Sequence, residues 1–124
     1  VVRDDLGIPE IKDLIAPYVD LDLEQGTFQF KEEYDDAETR IQLLVPLLVL
    51  QALEQNRMTE SAAVDPIDLA EITNNSVGKA YPVIRELEQN GVLENVNKKY
   101  RIDPNSSEKI HSQFETSGQA EAAN

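Results

Sequence analysis

The chain has 124 residues, of which 40% are hydrophobic and 28% are charged, a composition typical of a globular domain. It has 24 acidic and 11 basic residues, a formal net charge of −13, and no cysteine, which excludes a disulfide framework. The longest apolar run, from Ile41 to Leu50, is about half the length that a bilayer span requires, so we expect no membrane segment.

Residues 1–36 are predicted to form an extension made of one helix and one β-hairpin. Apolar residues recur with helical spacing from Ile8 to Tyr18, and Pro9 is tolerated in a first helical turn. Residues 19–23 and 27–31 then alternate between apolar and polar around Gln25 and Gly26. This alternation predicts that the two segments pair as the strands of a hairpin.

Residues 38–56 are predicted to form the main helix. Ten apolar residues lie between Ile41 and Leu53, and they cover nearly all faces of this helix. A helix that is apolar all round has to be covered on more than one side. We therefore expect a homodimer whose interface is formed by residues 41–53 and by the helix of residues 8–18.

Two further helices and a second hairpin are predicted after the main helix. Asp65 and Pro66 are the N-cap and first residue of a short helix over residues 65–72. Another helix, called the third helix because it is the third counted from the main helix, covers residues 76–90. Gly91 fits the left-handed position that closes a helix. Residues 92–95 and 99–102 are predicted to pair as strands around a three-residue turn.

The remaining chain, residues 104–124, is predicted to be a polar and partly disordered tail. Ile110 and Phe114 allow one or two helical turns, and residues 117–124 are expected to be disordered. The predicted class is therefore α+β and mainly α. It has a winged helix-turn-helix over residues 37–103, preceded by the extension of residues 1–36.

The segment from Lys79 to Leu93, with residues 99–102 after it, resembles the PadR-like transcriptional regulators. The resemblance implies that the third helix is a DNA-recognition helix and that the second hairpin is a wing. The long C-terminal dimerisation helix of that family and its N-terminal pattern are not matched, so no family ligand is transferred. The matching residues are Tyr81, Pro82, Ile84, Leu87, Glu88, Gly91, Val92 and Tyr100.

Polar residues of the third helix and of the wing are the candidate DNA contacts. A helical projection places Val77, Ala80, Tyr81, Ile84 and Leu87 on the core face, and the opposite face is directed to solvent. Asparagine, lysine and arginine suit base edges and phosphates, and the N-terminal N–H groups of a helix suit a phosphate. The predicted DNA-binding residues are Asn75, Ser76, Lys79, Arg85, Lys98, Lys99 and Arg101.

The charge is distributed unevenly along the chain. Residues 75–101 contain five basic and three acidic residues, a local charge of +2, whereas the rest contains six basic and 21 acidic residues. The predicted recognition surface is therefore the basic part of an acidic molecule. Two explanations of the overall acidity stay open: adaptation to a high-salt cytoplasm, or a protein-binding role.

Residues that could support catalysis are few. His111 is the single histidine and lies in the polar tail, and there is neither a cysteine nucleophile nor a glycine-rich phosphate loop. We therefore expect a non-enzymatic protein without a metal or another cofactor. Because the charged N-terminal run has no signal-peptide core, we expect the protein to be located in the cytoplasm. The leading hypothesis is a DNA-binding transcriptional regulator, and the alternative is a winged helix used for protein–protein contact or assembly.

The acidic surface leads to a prediction about salt. We expect the thermal midpoint of unfolding to rise between low and molar KCl, because ions screen the repulsion among the 24 acidic residues. Thermal melts monitored by circular dichroism over this range would measure the effect. A midpoint that is flat or falls would remove the support for a high-salt origin.

Overall fold

A computed structural model describes the backbone of residues 6–123 and the side chains of residues 6–115. Six helices and two antiparallel hairpins follow one another in this range, so the predicted α+β class, mainly α, is confirmed. In chain order the elements are α1 (Ile8–Ile15), β1 (Val19–Asp22), β2 (Thr27–Phe30), α2 (Glu32–Asp35), α3 (Thr39–Gln55), α4 (Pro66–Ile72), α5 (Val77–Gln89), β3 (Leu93–Val96), β4 (Lys99–Ile102) and α6 (Ser107–Ala123).

The extension of the chain before α3 contains the predicted helix and hairpin. Strands β1 and β2 pair with Val19 opposite Phe30, and α1 packs on α3 through its buried residues Ile11 and Ile15. The short helix α2 was not predicted. It places Tyr34 in the core, where its ring stacks on Phe30 at 4.1 Å and its hydroxyl donates to the Gln42 carbonyl oxygen at 2.7 Å. Burial raises the pKa of the Tyr34 phenol.

Helix α3 lies at the centre of the molecule and is covered by the chain itself. Between Ile41 and Leu53 only Gln42 and Leu50 are partly exposed, because α1, α4, α5 and β4 pack around the helix. The prediction that this segment supplies a dimer interface is therefore wrong. One chain provides more covering elements than the N-terminal helix considered from sequence. Dimerisation through another surface stays a prediction.

Helices α4 and α5 have the end structures that the sequence predicts. The Asp65 carboxylate accepts from the Ile67 N–H at 2.8 Å, as an N-cap does. Helix α5 ends in a Schellman motif, in which Gly91 has φ of 79° and the Val92 N–H donates to the Leu87 carbonyl oxygen at 2.9 Å. These closures fix where α5 stops and direct the chain into β3.

Strands β3 and β4 form a small hairpin that joins the core at its base. Leu93 pairs with Ile102, and Val64 adds an isolated bridge to Tyr100 on the outer side of β4. The turn is shorter than predicted, because Val96 still pairs with Lys99. Asn97 and Lys98 have φ of 54° and 69°, as the two central residues of a type I′ turn require.

Helix α6 replaces the one or two turns that we predicted around Ile110 and Phe114. Ile110 is fully buried, and the Phe114 ring lies 6.2 Å from that of Tyr18. His111, in the predicted polar tail, is 40% exposed and has its Nε2 3.2 Å from a carboxylate oxygen of Glu10. Hydrogen bonds from His111 and Ser107 lower the pKa of Glu10. These contacts anchor the start of α6 to α1. The backbone of α6 continues as a helix to Ala123, so the disorder predicted for residues 117–124 is not found over the described residues 117–123.

The length and the hydropathy of a helix decide whether it could span a membrane. Within residues 6–123, none is both long enough and apolar enough to cross a bilayer.

Candidate nucleic-acid interface

The first two turns of α5 have one buried face and one exposed face. Ala80, Ile84 and Leu87 are buried against the core. Lys79 and Pro82 are exposed on the outer side, as predicted. A Cβ atom added to Gly78 would meet nothing within 4 Å, so the backbone can be approached closely there. This part of α5 is therefore accessible to a large ligand.

The N-terminus of α5 is capped by Ser76. Its Oγ accepts from the Lys79 N–H at 3.2 Å, so the oxygen of this predicted DNA contact serves the helix. The N–H groups of Val77 and Gly78 have no hydrogen-bond partner in the described part of the chain. Donors that are free at a helix N-terminus favour a nearby anion.

Asn75 does not lie where the sequence analysis placed it. Its amide nitrogen donates to the Thr73 hydroxyl at 3.0 Å and to the Gln42 amide oxygen at 3.3 Å, and the residue is half-buried. The outward direction predicted for the Asn75 side chain is therefore wrong, and its contact with a base stays a prediction. The residue precedes the helix, so a helical projection does not give its direction, and the amide instead ties the turn to α3.

The turn of the β3–β4 hairpin presents two lysines to solvent. Lys98 and Lys99 are both exposed, and neither forms an ion pair within residues 6–115. The Asn95 carboxamide oxygen accepts from the Lys98 N–H at 3.0 Å and holds the turn. Both lysines therefore lie where the sequence analysis placed them.

Arg101, the third predicted cation of the wing, is directed towards α3. Its guanidinium donates to Glu54 at 2.9 Å and to Gln51 at 3.2 Å, and its Nε lies 3.8 Å from Glu94. The side chain is only 23% exposed. Lys99 and Arg101 lie two residues apart and so share the exposed face of β4, but Lys99 lies at the turn, whereas Arg101 lies nearer the base of the hairpin, within reach of Glu54 and Glu94. Arg101 is therefore engaged with carboxylates in this structure, and its contact with DNA stays a prediction.

Arg85 has partners on its own helix but stays accessible. Its Nε lies 3.9 Å from Glu88, one turn along, and its guanidinium carbon lies 5.8 Å from the centre of the Tyr81 ring. Half of the side chain is exposed. Arg85 is thus a weakly engaged cation at the edge of the exposed face, and it holds the Tyr81 ring by a cation–π contact.

An open cleft of about 390 Å³ lies between the start of α4, the start of α5 and the hairpin turn. Tyr100 lines the cleft and is buried, whereas Tyr81 is 41% exposed. The prediction that Tyr81 and Val77 pack in the core is therefore wrong. The cleft is lined by Asp65, Pro66, Ile67, Val77, Tyr81, Asn95, Lys98 and Tyr100.

The cleft and its surroundings contain no arrangement that points to metal chemistry. Within the described residues, no three histidine or acidic side chains are grouped so that they could hold an ion. Among the same described residues, the exposed Lys79, Lys98 and Lys99 form no ion pair. Glu86 is an exposed acidic residue on α5, the helix that also carries Lys79. The arrangement offers an apolar cleft flanked by exposed positive charges.

Sequence reasoning missed the apolar part of this site. Val77 falls on the core side of a helical projection, yet it lies at the first position of α5, beyond the end of the covering elements. Ile67 is 63% exposed at the start of α4. The cleft could have been indicated by one signal in the sequence. Ile67 directly follows the capping pair Asp65 and Pro66, opposite the first turn of the next helix.

Comparisons of the chain with protein-family models, with curated proteins and with solved structures found no match. The resemblance to PadR-like regulators therefore stays a prediction, and function has to be argued from the geometry above.

Proposed function

We propose that this protein is a DNA-binding transcriptional regulator that uses α4 and α5 as a helix-turn-helix and the β3–β4 hairpin as a wing. The observation that carries the proposal is the accessible first half of α5 beside a hairpin turn whose two lysines form no ion pair within residues 6–115. In this proposal α5 enters the major groove, and Lys98 and Lys99 contact phosphates on one side of it.

The order of elements supports a winged helix. Helix α3 is followed by the Val64 bridge, the pair α4 and α5, and then β3 and β4, with Val64 extending the hairpin to a third short segment. The four-residue connection between α4 and α5, with Asn74 at φ of 58°, is as short as in a helix-turn-helix. Helix α3 then serves as the scaffold on which both DNA-contacting elements rest.

The available cations set the expected strength of binding. Lys79, Arg85, Lys98 and Lys99 are exposed, whereas Arg101 is engaged with Glu54. Four phosphate contacts correspond to a salt slope of about −3 to −4, which is smaller than that of strongly basic DNA-binding proteins. The acidic remainder of the surface repels the duplex elsewhere and so restricts docking to this one face.

The alternative, a winged helix that binds another protein, has one observation in its favour. Ile67, Val77 and Tyr81 expose apolar surface in a shared cleft, which is a common feature of protein-binding sites. The same cleft is adjacent to Lys98, and a major-groove ligand also offers apolar groups. We therefore keep the protein partner as the alternative that a failure of DNA binding would favour.

The test is a pair of alanine variants measured by fluorescence anisotropy on duplex DNA at several salt concentrations. We expect Lys98→Ala with Lys99→Ala to weaken binding about equally across sequences and to reduce the salt slope by about one per contact. Lys79→Ala is expected to change the preferred sequence as well, because Lys79 lies on α5 and can reach base edges.

A matched control removes the same charge elsewhere. Lys12 on α1 and Lys109 on α6 are also exposed, and their replacement by Ala should leave affinity within about twofold. If the folded wild-type protein binds no genomic or random duplex even at low salt, the DNA-binding proposal is abandoned. Equal losses in the wing and control variants would show that net charge, rather than the wing, determines affinity.

A further inference from the structure

The side of α5 that faces the wing offers apolar groups rather than hydrogen-bond donors. Val77 is 44% exposed and Tyr81 is 41% exposed, and both line the cleft together with Lys98 of the hairpin turn. Pro82 is exposed beside them. A ligand held between α5 and the wing therefore meets a predominantly apolar surface.

Three of the predicted DNA contacts, Asn75, Ser76 and Arg101, are engaged with partners within the protein. The Asn75 amide bonds to Thr73 and Gln42, and the Ser76 oxygen caps α5. Arg101 is held by Glu54. In the first two turns of α5 the remaining side-chain donors are the Lys79 ammonium and the Tyr81 hydroxyl. Hydrogen bonding alone can thus define only a small part of a recognition sequence.

The major groove has one apolar group, the C5-methyl of thymine, which marks the position of an A·T pair. Resting on the DNA-binding function proposed above, we propose that Val77 and Tyr81 recognise thymine C5-methyl groups. The two residues lie one turn apart on α5, so both can face successive bases of one groove. The Val77 side chain offers a small apolar surface to a methyl group, and the Tyr81 ring offers a flat one.

Two observations favour a duplex as the occupant of this surface. Lys98 lines the cleft, and the exposed Lys79 and Lys99 lie on the two elements that bound it, so phosphates find cations on either side of the apolar residues. The cation–π contact of Arg85 restrains the Tyr81 ring, which lowers the entropy lost when it meets a flat base edge. The cleft carboxylate, Asp65, is engaged with the Ile67 N–H as an N-cap.

The experiment compares two pools of 30-base-pair random duplexes made by polymerase extension, one with thymine and one with uracil. The pools differ only in the C5-methyl group, so charge and hydrogen-bonding pattern are the same. We expect the wild-type protein to bind the thymine pool about fourfold more tightly for one buried methyl group, and about fifteenfold for two. Sequencing of the bound thymine pool should show A·T pairs enriched at fixed positions.

Variants locate the effect on the protein. Val77→Ser should reduce the preference for thymine by about fourfold while keeping the salt slope, because it removes an apolar contact and no charge. Phe28→Ser is the control, since Phe28 is also an exposed apolar residue but lies on the β1–β2 hairpin. Circular dichroism melts establish that each variant is folded.

The outcomes separate this inference from the function on which it rests. Equal binding of the thymine and uracil pools overturns methyl recognition and leaves DNA binding intact. A thymine preference that persists unchanged in Val77→Ser and in Tyr81→Ser also overturns it, because the methyl contact then lies elsewhere. If the folded protein binds neither pool at low salt, the DNA-binding function itself fails, and the cleft is assigned to a protein partner.

Discussion

Replacing Leu48 by Ala should lower the free energy of unfolding by about 3–5 kcal/mol, because the side chain is fully buried and its loss leaves a cavity. Leu48 lies in α3, which α1, α4, α5 and β4 surround within a single chain. The loss should therefore be independent of protein concentration. Urea denaturation at two concentrations a hundredfold apart measures both the size of the loss and its dependence on association.

Leu50 provides the matched control in the same helix. It is half-buried, so Leu50→Ala removes the same atoms from a partly solvated position and should cost less than half as much. Equal losses for the two variants would contradict the burial pattern of α3. A Leu48→Ala loss that depends on protein concentration would show instead that a second copy covers this helix, as the sequence predicted.

Replacing Arg101 by Met should lower the free energy of unfolding by about 1–3 kcal/mol while leaving DNA affinity within a few fold. The guanidinium joins β4 to Glu54 and Gln51 of α3, and both ionic side chains are about a quarter exposed. Solvent screening at that exposure keeps the loss below that of a fully buried pair. Urea denaturation gives the stability, and anisotropy on the random duplex pool gives the affinity.

A double-mutant cycle assigns this loss to the ion pair. Glu54 also accepts from the Ala62 N–H at 3.0 Å, so Glu54→Gln keeps a group that can fill that position. We expect Glu54→Gln and Arg101→Met together to cost about 1 kcal/mol less than the sum of the single variants. Lys99→Met, next to the wing turn and without an ion pair, should stay within about 0.5 kcal/mol of wild type.

The Arg101 and Lys99 variants together distinguish a structural cation from a DNA-contacting one. If Arg101→Met abolishes DNA binding without changing stability, the contact with Glu54 is not the role of Arg101. If Lys99→Met changes stability but not affinity, the proposed role of the wing fails. The opposite effects that we expect would follow from the positions of the two residues along one face of β4, because Lys99 lies at the turn and Arg101 lies within reach of Glu54 and Glu94.

The sequence alone was sufficient for the elements whose signals are local. Asp65 followed by Pro66 marks the start of α4, and Gly91 marks the end of α5, because a cap and a left-handed position depend on neighbouring residues only. The alternation around Gly26 gave the first hairpin to within one residue at each strand end. Exposed positions on α5, such as Lys79, also followed from helical periodicity.

Tertiary structure decided what covers each face and which polar groups remain available. Arg101 is engaged because Glu54, 47 residues away in sequence, lies opposite it. Asn75 is engaged because Gln42 of α3 lies within 3.3 Å, and Val77 is exposed because no element of the described residues extends over the first turn of α5. Such contacts join distant parts of the chain, so periodicity, which describes one segment at a time, does not contain them.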